Sequence, residues 1–201
     1  MNSWTARNYN RYFDGFSERD VVTAKGKVKT ERIYAGEYFR EKASEEQWKR
    51  RKALVGVGYC ASILIFLVSG TIDCSANSTW YVILFSGITL AVMILATMNV
   101  YTKVTAPRDM IARVFRSAAE QYRKRIRLMA VCMLLTGFGV FVNLLIHLFS
   151  VQMNSLLCFM GYTVSGLIMY RLYTFEDNNM YQKIENKVRL AEPNDYIQIT
   201  Y

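Results

Sequence analysis

The sequence predicts a mainly α fold: a four-span transmembrane helical bundle with a small cytoplasmic α+β part. Three observations predict it. First, the runs Ala53 to Ile72, Cys74 to Thr102 and Leu128 to Tyr170 carry no Asp, Glu, Lys or Arg, so all 25 basic and 16 acidic residues of the 201 lie outside them. A soluble core needs no such segregation, whereas a hydrocarbon slab roughly 30 Å thick takes about 20 apolar helical residues at about 1.5 Å each. Second, the last run has 43 residues and would make a helix of about 65 Å, twice a bilayer, so it folds back at its polar break, Ser150 to Asn154. Third, residues 1–52 hold 13 Lys and Arg, residues 101–127 hold 8, residues 171–201 hold 4, and the short loops 71–79 and 150–154 hold none. Cytoplasmic flanks carry the positive excess, so both termini and the middle loop are expected inside and the hairpin tips outside.

The spans are expected at about 53–70, 80–100, 128–149 and 155–173, within a membrane domain 45–173 that separates an N-terminal arm (1–44) from a C-terminal tail (174–201). Trp48, Tyr101, Tyr170 and Tyr173 mark inner interfaces, Trp80 and Tyr81 an outer one. The first 50 residues have no apolar segment with a small-residue cleavage site, so no removable signal peptide is expected and the first span serves as an uncleaved targeting signal.

In the arm, Tyr9, Tyr12, Phe13 and Phe16 recur at helical spacing and suggest a short amphipathic helix. Val21 to Tyr34 reads as a β-hairpin turning at Gly26. Such a hairpin alone is marginal, and Tyr196 to Tyr201 is a candidate third strand. Ser44-Glu45-Glu46-Gln47 matches a capping box and starts the first membrane helix near Glu45. Residues 107–127 read as a cytoplasmic amphipathic helix with Pro107 in its first turn. Its apolar face runs from Met110 to Ile126, and no breaker separates it from the third span. Met180, Tyr181, Ile184 and Val188 form the stripe of a last short helix.

The net charge of +9 is explained by topology, and no nucleic-acid partner is expected. Lys49, Arg50, Arg51, Lys52, Arg123, Lys124 and Arg125 abut the spans and are expected to face lipid headgroups. No Asp or Glu falls within a span, which disfavours proton-coupled transport of the kind small four-span multidrug carriers perform with a membrane-embedded Glu. One intramembrane polar cluster stands out. Asn143 and His147 share a face of the third span, and depth counted from the break aligns them with Tyr162 and Cys158 of the fourth, near Cys74 of the outer loop. The set has ligand chemistry but no CxxC or HxxxH spacing. It is read as interhelical hydrogen bonding, with Asn143 and His147 pointing into the bundle. No cofactor or metal is expected. Quinone-linked thiol oxidoreductases also use four-helix membrane bundles, but they need paired cysteines, and Cys60, Cys74, Cys132 and Cys158 offer no pair by spacing. Asn77-Ser78-Thr79 is a formal glycosylation acceptor. The pairs Gly58/Ser62, Gly87/Ala91 and Gly161/Ser165 permit close helix packing within or between chains.

Tyr9 to Phe16 (YNRYFDGF), Arg32 to Arg40 (RIYAGEYFR) and Gln47 to Lys52 resemble the corresponding region of uncharacterised small multi-span membrane proteins of anaerobic Gram-positive bacteria. The resemblance stops at about residue 55. It implies a bacterial plasma membrane and no activity. The expected function is that of a non-catalytic membrane protein, an interaction or scaffolding module. The alternative is a small oligomeric transporter or the membrane subunit of a transport complex. The expected partners are the lipid bilayer and a second copy or another membrane protein.

Overall fold

The computed structural model describes residues 16–22, 28–34, 36–147, 153–176 and 180–184. It is mainly helical, with four helices long and apolar enough to cross a membrane: α1 (Glu45–Thr71), α2 (Trp80–Thr105), α3 (Ala112–Ile146) and α4 (Met153–Phe175). Five short strands accompany them: β1 (Phe16–Val22), β2 (Val28–Tyr34), β3 (Tyr38–Glu41), β4 (Asp109–Ile111) and β5 (Tyr181–Ile184).

Helix starts and stops follow local chemistry. Ser44 is extended and its hydroxyl accepts from the Gln47 N–H at 3.3 Å, which caps α1. Glu45 and Glu46 in the first turn pair with Lys49 and Arg50 one turn on. At the end of α2, Ala106 is extended because it precedes Pro107. This corrects the expected helix 107–127: Pro107 stops one helix rather than starting the next. Asp109–Ile111 is a strand, and α3 begins at Ala112. Residues Arg116–Gln121 of α3 are wound as a π segment. Its place beside α2 is held by Asn99, whose Nδ2 donates to the Ser117 carbonyl at 2.9 Å.

Packing is closest between α3 and α4, with α1 against α4 and α2 against α3. Tyr59, Phe66, Met129, Met133, Val140 and Met169 fill the bundle axis. Outward, Leu64, Val68, Ile83, Ile94 and Met98 are each more than half exposed, an apolar exterior over an apolar interior. Two of the small-residue pairs serve contacts inside this chain: Gly58 faces Leu172, the Ser62 hydroxyl donates to the Ser165 carbonyl at 2.8 Å, and Gly161 abuts Ser69. Gly87 faces open space.

The strands form two antiparallel sheets. β1 and β2 pair from Phe16↔Tyr34 to Val22↔Val28. The hairpin is therefore longer than the expected one, and its connection, including Gly26, lies outside the described residues. Phe16 begins a strand rather than belonging to a helical stripe; Tyr9, Tyr12 and Phe13 lie outside the described residues. The second sheet has order β4-β3-β5, and sequence reading missed all three strands. Tyr181–Ile184 is a strand of that sheet, which corrects the expected terminal helix; Val188 and the candidate strand 196–201 lie outside the described residues. Stacking of Phe39 on Phe115 (4.2 Å between centroids) and an edge contact of Phe115 with Tyr181 (5.0 Å) seat this sheet on α3.

The molecule thus has a basic end, carrying the sheets, and a loop end, carrying the α1–α2 connection and the start of α4.

Candidate functional site

At the loop end, α1 stops at Thr71 and the chain makes a 3₁₀ turn over Ser75–Ser78, with Ala76 fully buried. The turn drops Cys74 and Asn77 onto α4. Cys74 Sγ lies 3.1 Å from Cys158 Sγ. Cys158 also reaches the Ser69 carbonyl at 3.5 Å. Asn77 is the hub of the surrounding network: its Nδ2 donates to the carbonyls of Ile72 (2.9 Å) and Ser69 (3.1 Å) and points at Cys158 Sγ (3.6 Å), while its Oδ1 accepts from the Tyr162 hydroxyl at 3.1 Å. These bonds use the Asn77 amide to hold the turn, which argues against the formal glycosylation reading. Phe66 packs against the Tyr162 ring at 5.1 Å. A cleft of about 590 Å³ lined by Asp73, Cys74, Ser75, Met153 and Asn154 opens beside the pair.

Of the four residues singled out from sequence, Cys158 and Tyr162 join this cluster. Asn143 is buried on α3, but His147 is exposed, contrary to the expectation that both point inward. The reason is local. α3 ends at Ile146, and although the His147 N–H still donates to the Asn143 carbonyl at 3.1 Å, His147 itself is the C-cap (φ −104°, ψ 36°) and sits at the open end of the helix rather than within the packed bundle. A thiol pair is present after all, built from residues 84 positions apart, a separation no spacing motif would flag. Among the described residues, no group of three His, Cys, Asp or Glu gathers as a metal set.

The basic end holds a different network. Lys103 Nζ donates to Glu176 Oε1 at 2.6 Å, with both side chains under a tenth exposed, and also to the Tyr181 hydroxyl. That hydroxyl donates to Glu176 Oε1 at 2.5 Å. Burial, and then the Glu176 charge, push the Tyr181 phenol well above its ordinary pKa, so it stays a donor. Arg51 pairs with buried Glu41 at 3.0 Å and reaches Met180 Sδ at 3.1 Å.

The basic residues expected to face lipid therefore divide. Lys49 and Arg50 are well exposed, and Lys124 is exposed too. Arg51 turns to Glu41, Lys52 donates to the Ala106 carbonyl closing α2, and Arg125 donates to the Leu95 carbonyl (2.6 Å) and to Asn99 Oδ1. The Arg123 guanidinium lies over the Tyr173 ring at 5.3 Å. Each of these four also meets a protein acceptor or ring, and Lys52 satisfies a carbonyl at the α2 C-terminus that would otherwise lack a partner.

Compared with known proteins, the chain matches no family model, no curated protein and no solved structure. The functional reading accordingly rests on geometry.

Proposed function

We propose that the protein is a non-catalytic integral membrane protein of the plasma membrane, with both termini cytoplasmic and the sheet-bearing basic end serving as an interaction or scaffolding module. The observation that carries this reading is the sheet β4-β3-β5. It gathers three distant chain segments at the end where the Lys and Arg residues lie and clamps them to the helices through Lys103, Glu176 and Tyr181. A platform built this way is rigid enough to present a surface. Beside it, β1 and β2 form a two-stranded sheet whose outer edges bear no further strand among the described residues. Such edges favour strand addition by a second copy or another chain. The filled bundle axis and apolar outward faces favour a structural membrane unit over a solute path.

Two tagged copies co-expressed in one membrane test the reading. They are expected to co-purify in detergent, and a variant lacking residues 16–34 is expected to lose that association while keeping its membrane yield. S78C should label from outside with an impermeant maleimide and K25C should not. Solute uptake by vesicles bearing the purified chain, abolished by blocking the bundle axis, would instead favour the transport alternative.

A further inference from the structure

The function proposed above makes no use of the thiols at the loop end. Cys74 and Cys158 are both buried, at 5% and 0% exposure, and their Sγ atoms stand 3.1 Å apart. Closing that gap to a disulfide needs a movement of about 1 Å. We propose that these two residues are a redox modification site: thiol–disulfide exchange with an oxidant of the disulfide class joins them and staples the α1–α2 connection to the start of α4. This rests on the reading that the loop end faces the outside, where disulfides persist.

The geometry assigns an order to the exchange. Cys74 lines the cleft beside Asp73, Ser75, Met153 and Asn154, whereas Cys158 lies behind it with no exposed surface. An incoming disulfide R–S–S–R therefore meets Cys74 first. The Cys74 sulfur, having lost its proton, attacks one sulfur of the oxidant. The S–S bond breaks, and the electron pair leaves on RS⁻, which takes up a proton. The Cys158 sulfur, having given up its own proton, then attacks Cys74 Sγ in the mixed disulfide; the S–S bond to the second RS breaks and the displaced RS⁻ takes up a proton. In sum, two protein thiols are oxidised to one disulfide and one external disulfide is reduced to two thiols.

Asn77 is a positioning residue for the second step. Its Nδ2 points at Cys158 Sγ from 3.6 Å and donates to the Ser69 and Ile72 carbonyls, while its Oδ1 is held by Tyr162, so it fixes the turn that carries Cys74 against Cys158. Cys60, exposed on α1, and Cys132, buried on α3, form no part of the site and serve as internal controls.

The experiment has two arms on the full chain. In cells, thiols are trapped by acid quench and alkylation before membranes are opened, and peptides are read by mass spectrometry. In detergent, the reduced purified protein is exposed to oxidised glutathione. The expected result in both arms is a linked peptide pair containing Cys74 and Cys158, with alkylatable thiols falling from four to two of the chain's 4 cysteines. C74S and C158S should each abolish the link, C60S and C132S should leave it, and N77L should slow it several-fold without preventing it. Reductant should lower the thermal midpoint of the wild type but not of C74S, a readout that does not require C158S to fold. Failure to link in detergent overturns the proposal. Linkage in detergent with both thiols free in cells also overturns it, and S78C then assigns the fault. Labelling of S78C from outside leaves the orientation standing and rejects the redox site alone; labelling only after permeabilisation rejects the orientation as well.

Discussion

At the basic end, Lys103, Glu176 and Tyr181 tie α2 to the sheet through a buried ion pair, whereas at the loop end Asn77, Tyr162 and backbone carbonyls tie the α1–α2 connection to α4 through neutral groups. Both networks hold a chain connection against helix ends. They differ in what happens when one member is lost. An unpaired buried charge costs about 3–5 kcal/mol, whereas a buried amide or hydroxyl left without its partner costs about 1–3 kcal/mol. The short loops at this end, 71–79 and 150–154, hold no Lys or Arg, so they offer the Asp73 carboxylate no Lys or Arg for an ion pair like that at the basic end.

The largest effect that would test this contrast is expected from Lys103→Met. It leaves Glu176 buried beside an apolar side chain, and breaking a buried pair in this way costs about 3–5 kcal/mol. The double variant K103M/E176Q should recover much of that loss, because no uncompensated charge remains. Thermal unfolding in detergent and protease access at β5 are the readouts. Equal losses in the single and double variants would mean that packing, rather than charge, holds the basic end.

The next effect compares two glycines. A Cβ at Gly161 would stand 1.9 Å from Ser69 Oγ, whereas one at Gly87 would meet nothing within 4 Å. Gly161→Val is therefore expected to force α1 and α4 apart beside the thiol pair and cost about 1–3 kcal/mol. Gly87→Val should stay within about 0.5 kcal/mol. A stable Gly87→Val monomer that no longer co-purifies with a second copy would assign the Gly87/Ala91 face to packing between chains.

A comparable effect isolates the phenol at the basic end. Tyr181→Phe removes the hydroxyl's bond to the charged Glu176 acceptor, worth about 1.5–3 kcal/mol, together with the bond it accepts from Lys103, and leaves the Lys103–Glu176 pair in place. The folded-state pKa of Tyr181 is raised, so the stability it contributes is fully present below the ordinary value of 10.0 and is lost as pH rises beyond it. The alkaline limb of a stability profile should accordingly be shallower in the variant than in the wild type. Identical limbs would remove Tyr181 from the latch.

These two networks also mark where reading the sequence succeeded and where it stopped. Helix positions were legible because charge-free length and the Ser44 cap are local signals. Counting from the polar break puts Cys158 near Cys74 of the α1–α2 connection, and the two sulfurs meet. The basic residues were read as topology, and that reading hid Arg51, Lys52 and Arg125 as side chains that satisfy protein acceptors. The strands of the second sheet are not legible, since Asp109–Ile111 and Tyr181–Ile184 are three and four residues long and pair with β3 only over long sequence separations. Over so few residues, the spacing of Met180, Tyr181 and Ile184 fits a helix as well as a strand edge. The π segment and its Asn99 support arise from contact between α2 and α3, and no local pattern announces them.

The smallest effect is expected where the basic end resembles an ordinary protein surface. Arg40 meets Asp109 with two parallel bonds of 2.5 and 2.6 Å across the β3–β4 pair, and Asp109 holds the Arg40 guanidinium in its charged form. Yet the side chains are 38% and 45% exposed, so water and salt screen the attraction that burial protects at Lys103. Arg40→Gln should shift the unfolding midpoint little, and what shift there is should shrink further when salt is raised. The Lys103→Met loss should be nearly insensitive to the same salt. If Arg40→Gln instead unfolds the sheet, the exposed pair rather than the buried one is the latch. The contrast between the two ends would then rest on strand pairing alone.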